Sequence, residues 1–136
     1  MPSTPSAEFP TTVDLIRELV ARFRSGDVQA FADLLGEDFI SHNPGIQHDP
    51  TAATGKQAFL AYLHSPFGRD LTNGSVETKR LLADADLVAV HNHVTTHSGL
   101  EMATVDIFRV RDGLIAEHWD VVQAIPPDTT NPHGMF

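Results

Sequence analysis

The sequence predicts an α+β domain, helices first and a curved, mostly antiparallel sheet after them. Three observations carry that prediction. Apolar residues recur at helical spacing through about residue 63. From about Ser75 the period changes to that of strands. Late in the chain, Asp112-Gly113 separates two apolar runs within ATVDIFRVRDGLIAEHWDVVQAI (103–125), a strong short-range hairpin signal. Three helices and a short strand followed by a run of strands place the helices on one face of the sheet. Such a sheet wraps its helices like a cone, and the mouth of a cone is a natural ligand pocket.

Each element has a local cause. Thr11 with Asp14 resembles a capping box, and Val13, Ile16, Val20 and Phe23, broadened by Leu15 and Leu19, give the first helix its stripe. Gly26 ends it. Asp27 caps a shorter helix with Val28, Phe31, Leu34 and Leu35 facing inward. Asp38 to Asn43 reads as a short strand running into a turn at Pro44-Gly45, and residues 45–53 as a loop. Thr54 and Gln57 form a second capping box, opening a third helix with Phe59, Tyr62 and Leu63 buried. Ser65-Pro66 is read as its stop and Gly68 to Gly74 as a loop. Val76 to Ala83 alternates only loosely, whereas LVAVHNHVTT (87–96) is a clear strand. Pro126-Pro127 lack donors and end the sheet. The expected organisation is a flexible arm over 1–10, a single domain over 11–126 and a C-terminal tail over 127–136, which is either unstructured or a cover for a pocket mouth.

Composition narrows the function. The chain has 136 residues, enough for one core, and 41% hydrophobic residues, as globular proteins have. A net charge of -9 argues against nucleic acid and anionic lipid as partners. No apolar run approaches the ~20 residues of a membrane span, and the first residues lack the pattern of a signal peptide, so cytoplasm is the expected compartment. Without cysteine there is no disulfide, thiolate catalysis or cysteine-ligated metal.

The hairpin carries the chemical lead. Asp106, His118 and Asp120 interrupt an otherwise apolar stretch, and charges are costly to bury unless paired or used. Parity puts Asp106, Phe108 and Val110 on one face of their strand, and His91 and His93 on the face opposite Val88, Val90, Asn92 and Val94. A two-residue Asp112-Gly113 turn would set Asp106 against Trp119. A three-residue loop with Gly113 as the bulge would set Asp106 against His118 and Thr104 against Asp120. The second register gathers the polar groups and is the one expected. It leaves Val105, Ile107, Ile115, Trp119 and Val121 for an outer face suited to a second subunit.

Asp106 beside His118, with His91 or His93 from the neighbouring strand, would titrate near neutrality and suit proton transfer next to a carbonyl. His42, Asn43, Asp120, Trp119 and Phe108 are the expected substrate contacts. A metal centre of His91-x-His93 with His118 or His42 and one carboxylate is the competing arrangement. Serine-hydrolase, phosphate-loop and dinucleotide motifs are absent.

HNPG (42–45), TGKQAFLAYL, LVAVHNHVT, VDIFRVRDGLIAEHWDVVQ and the final GMF together resemble the SnoaL-like polyketide cyclase family, in its subgroup of predicted aldol-condensation enzymes. The resemblance covers roughly residues 12–126. It implies the cone-shaped nuclear transport factor 2-like fold, shared with ketosteroid isomerase, scytalone dehydratase and limonene epoxide hydrolase. It also implies an acid/base aspartate at Asp106 working with a histidine at His91 or His93. Epoxide hydrolases of the superfamily resemble this chain at His91/His93, Asp120 and Asn43, and have a pocket tryptophan where His118 stands. Their arginine has no counterpart among the strand histidines, and the isomerase tyrosine has none on a strand, since Tyr62 is helical. The expected function is a cofactor-free lyase or isomerase of aldol or cyclase type. It would act on a small, partly apolar carbonyl compound, as a homodimer. A non-catalytic ligand-binding module and an epoxide hydrolase are the alternatives.

Overall fold

The computed structural model describes residues 11–136; the expected arm, 1–10, lies outside them. Four helices and five strands follow in order: α1 (Thr12–Ser25), α2 (Val28–Ala32), β1 (Leu35–Ser41), α3 (Gly55–Leu63), α4 (Pro66–Thr72), β2 (Ser75–Asp84), β3 (Leu87–Thr95), β4 (Glu101–Arg111) and β5 (Leu114–Ala124). The strands form one sheet in the order β1-β5-β4-β3-β2, antiparallel except for the β1–β5 pair. The helices pack against it, and none is long and apolar enough to cross a membrane.

The caps act as their residues dictate. The Thr11 side chain accepts the Asp14 N–H, and Gly26 ends α1 at φ 77°, a left-handed conformation that costs glycine little. Thr54 and Gln57 form the reciprocal box that starts α3. Two expectations are corrected here. Pro66 does not merely stop α3; it is the first residue of α4, where its missing N–H costs nothing, and Ser65 caps it. Leu35 is not helical but opens β1, so that strand is longer than expected.

The core joins Leu15, Ile16 and Leu19 of α1, Phe31 of α2 and Phe59 and Leu63 of α3 to Val88, Val90, Phe108 and Ile115 of the sheet. Phe59 packs edge-on against Phe39 and stacked on Phe31.

Two bulges set the register of the antiparallel pairs, and the parallel β1–β5 pair is irregular between Leu35 and Ile40. One lies between Thr78 and Arg80 of β2, which is why that strand alternates loosely in sequence. The other lies in β5: Arg109 pairs Glu117 and Val110 pairs Ile115, so Ala116 is the extra residue. The turn itself is the two-residue Asp112-Gly113 form, both residues at positive φ. The expected three-residue loop is therefore corrected. The extra residue sits within β5 rather than in the loop, and the pairing is Asp106 with Asp120 and Phe108 with His118. The same bulge turns Ile115 inward, where it is fully buried instead of lying on the outer face.

The C-terminal tail crosses the outer face of the sheet. Phe136 stacks on His93 at 4.7 Å between ring centroids and lies 5.4 Å from His91. It is not at the mouth of the cavity.

Candidate active site

Between the helices and the inner face of the sheet lies a cavity of about 800 Å³. Phe23, Phe31, Phe59, Tyr62 and Phe67 line its helical side. Val90, Val94 and Met102 extend the apolar lining over the sheet. The carboxyls and the imidazole cluster on the sheet wall, Gln47, Tyr62 and Ser65 are polar residues of the loop and helical side, and no lysine or arginine lines the cavity among the described residues.

That wall is built by strand parity. Asn92 on β3, Thr104, Asp106 and Phe108 on β4, and His118 and Asp120 on β5 all point inward. Asp106 is the hub. Its Oδ1 lies 2.9 Å from His118 Nε2. Its Oδ2 accepts from Asn92 Nδ2 at 3.1 Å and from the Thr104 hydroxyl at 3.3 Å. Asn92 is fixed in turn, because its Oδ1 accepts from the Thr78 hydroxyl. The His118 ring stacks on Phe108 and meets the edge-on ring of Phe59, which locks its plane.

Asp120 faces Asp106 across the ladder. β1 runs parallel to β5 and delivers Asn43, whose Nδ2 donates to Asp120 Oδ2 at 2.9 Å. Asn43 holds its position by accepting the Gly45 N–H, the turn chemistry that Asn-Pro-Gly supplies. Burial pushes the Asp120 carboxyl above its ordinary range; the Asp106 charge adds to this and His118 opposes it. Burial likewise raises the Tyr62 phenol, so its hydroxyl keeps its proton beside Asn43 and Asp120. Asp120 Oδ1 and His118 Nδ1 are buried without a partner among the described residues.

The match to known proteins follows from this fold. The family model of the SnoaL-like domain matches residues 16–118. The chain belongs to the SnoaL-like family. IdmH from Streptomyces antibioticus, described as a candidate polyketide cyclase, is 27% identical with a TM-score of 0.65, over 83% of this chain and 92% of that one. A candidate ketosteroid isomerase from Kribbella flavida is 25% identical with a TM-score of 0.66, over 90% of this chain and 85% of that one. A nuclear transport factor 2-like protein of unknown function from Burkholderia xenovorans shares the fold at 16% identity and a TM-score of 0.66, over 88% of each chain. Among curated proteins no sequence matches.

Within this SnoaL-like chain the structure brings together Asp106, His118, Asp120, Asn43 and Phe108 and separates the other expected site residues from them. His91 and His93 are on the opposite face of β3, because Asp106 pairs with Val90 and so shares its face with Asn92. They contact Arg80, Glu101 and Phe136 instead. His42 and Trp119 also face outward. Their rings stack at 5.1 Å, and His42 Nε2 lies 2.6 Å from Glu117 Oε2. With His118 as the third histidine the expected metal set is divided between two faces of the sheet; His42 shares the outer face with His91 and His93 but meets Glu117, whereas His93 meets Glu101 and His91 meets Arg80, and among the described residues these three do not group as ligands. Sequence reasoning missed Asn92 and Tyr62. Asn92 interrupts the apolar alternation Val88, Val90, Val94, the same signal that singled out Asp106. Tyr62 sits on the exposed edge of the α3 stripe, the side that faces a cavity rather than a strand.

Proposed function

We propose that this protein catalyses cofactor-independent proton transfer on a neutral, largely apolar carbonyl compound, a reaction of the cyclase or isomerase type. One observation carries the reading: a carboxylate held by three donors stands in a largely apolar cavity, opposite a second carboxyl whose pKa burial raises. Asp106 is the base. Its Oδ1 keeps a lone pair beyond the one directed at His118, and the fixed donors hold that oxygen toward the cavity. His118 and Asn92 orient the carboxylate without blocking it. The Tyr62 hydroxyl is the donor for the oxygen of the developing enolate. An apolar cavity without a cation selects an uncharged substrate, since a buried carboxylate or phosphate would have no partner there. The likeness to proteins described as a candidate polyketide cyclase and a candidate ketosteroid isomerase supports the same class of reaction.

The test is deuterium uptake from D2O at the carbon next to the carbonyl, read by mass spectrometry across a panel of neutral polycyclic ketones and β-keto esters. Exchange with the wild-type chain that is lost by at least about 100-fold in Asp106→Asn is the expected result. Ketones that bind tightly yet show no exchange would make the cavity a binding module and refute the proposal.

A further inference from the structure

The three ionisable groups of the polar wall also have the chemistry of a metal site. Asp106, His118 and Asp120 each place one donor atom so that all three lie within 4.8 Å of one another. His118 Nε2 and Asp106 Oδ1 are 2.9 Å apart. Two ligands at about 2.1 Å from one ion in tetrahedral geometry are separated by about 3.4 Å, so this pair reaches the spacing of adjacent ligands by opening about half an ångström once the ion replaces the shared proton. The other oxygens are occupied in the manner of outer-shell supports. Asn92 and Thr104 hold Asp106 Oδ2, and Asn43 holds Asp120 Oδ2, which leaves Asp106 Oδ1 to His118 and Asp120 Oδ1 without a partner. A second feature points to a missing partner. Asp120 Oδ1 is buried and unpartnered, beside a His118 imidazole that is 5% exposed and turns its Nε2 to the carboxylates. A half-satisfied buried polar cluster is costly, and a cation accepts the lone pairs that the protein leaves unused.

We propose that Asp106, His118 and Asp120 bind one divalent transition cation of the zinc type, and that its binding silences proton transfer. One imidazole with two carboxylates is a ligand set that zinc accepts, with the remaining position open to the cavity. Two aspartates and a neutral histidine also match its charge. Silencing follows from the geometry and rests on the role given to Asp106: the ion takes the Oδ1 lone pair that would otherwise remove the substrate proton. This ligand set shares His118 and a carboxylate with the one expected from sequence but not His91 and His93, which face away from it.

The experiment uses the full chain, freed of metal by dialysis against a chelator. Zn2+ affinity is read by competition with a chromophoric zinc indicator, and deuterium exchange on the same ketone panel is measured in parallel. One ion per chain is expected. Asp120→Asn and Asp106→Asn should each weaken binding by at least about tenfold, while the His91→Ala/His93→Ala double variant binds as the wild type does. Asn43→Ala, which removes only a support, should weaken it by about tenfold and keeps the inference testable if a ligand variant fails to fold. Exchange should fall in proportion to occupancy. Binding that is lost in the His91/His93 double variant, or retained in Asp120→Asn, would overturn the site. Full exchange at full occupancy would overturn the silencing. A chain that binds one ion through these residues but shows no exchange in its metal-free form would leave the site standing and sink the proton-transfer reading instead.

Discussion

Asn92→Ala removes the amide that ties β3 to the carboxylate on β4. Asn92 is 5% exposed, and its side chain makes two hydrogen bonds, donating to Asp106 Oδ2 at 3.1 Å and accepting from Thr78 at 2.9 Å. A hydrogen bond to a charged group contributes about 1.5–3 kcal/mol, a neutral one about 0.5–1.5 kcal/mol. The Thr78 hydroxyl can turn to solvent, so its loss belongs at the low end. Asp106 keeps Thr104 and His118. The expected cost is about 2–4 kcal/mol, read as a lower urea midpoint at unchanged slope. Asn92→Asp is the sharper comparison, because it keeps the shape and replaces the donor facing Asp106 with another carboxylate oxygen. At neutral pH it should destabilise more than the alanine variant. The folded pair then holds a proton that the unfolded chain releases, so its stability falls as pH rises above the ordinary carboxylate range and recovers toward about pH 4. If Asn92→Ala stays within about 0.5 kcal/mol of wild type, or Asn92→Asp is as stable as wild type at neutral pH, the amide does not support Asp106 and the polar wall is misassigned.

Three further outcomes follow from other parts of the fold. Because burial raises the Asp120 carboxyl, the folded chain binds a proton more readily there than the unfolded chain does. The group therefore costs stability above its folded pKa and nothing below its unfolded one. Asp120→Asn should stabilise the protein at neutral pH, with a gain that vanishes toward about pH 3.5, and a pH-independent difference in thermal midpoint would contradict this. A Cβ on Gly55 would run into the Phe39 carbonyl oxygen, so Gly55→Ala should destabilise by about 1–3 kcal/mol in chemical denaturation by forcing α3 away from β1. The outer sheet face carries Val105, Ile107 and Trp119 half-buried and Val121 exposed, and a homodimer through it is expected; light scattering that returns the mass of one chain would refute that.

Three helices and the hairpin were legible because capping boxes, turn glycines and apolar periods are local; the Asp106–His118 contact was reached through a register the structure corrects, since it runs diagonally between the Asp106–Asp120 and Phe108–His118 pairs. The errors arose where geometry is not local. α4 was hidden because proline is read as a stop, although the residue before it is a serine that caps a new helix. The histidines of β3 drew attention by chemical type, whereas the ladder decides faces: Thr95 pairs with Glu101, and counting back from that pair gives Val90 opposite Asp106. The parity of β5 came out right at His118 and Asp120 and wrong at Ile115. A bulge after the turn and a bulge within the turn give His118 and Asp120 the same face but different partners, Asp106 standing opposite Asp120 in the first and opposite His118 in the second, and only the former turns Ile115 inward. Nothing in the sequence around Ala116 distinguishes the two.

Ala116 gives the strand it interrupts an unusual latitude. Beyond it, β5 holds two interleaved sets of letters: His118 and Asp120 read inward, Glu117, Trp119 and Val121 read outward. Were Ala116 taken into the ladder instead of bulging out, the pairs would run on from Val110–Ile115 to Arg109–Ala116 and Phe108–Glu117, and the sets would exchange. The cavity would then receive an indole and a glutamate, and the imidazole and aspartate would pass to solvent, with no side chain altered. The bulge, and not the side chains alone, is thus what gives this cone a carboxylate–imidazole wall in place of an aromatic one. In comparing proteins of this architecture, the spacing between turn and site is information of the same rank as the identity of the site residues.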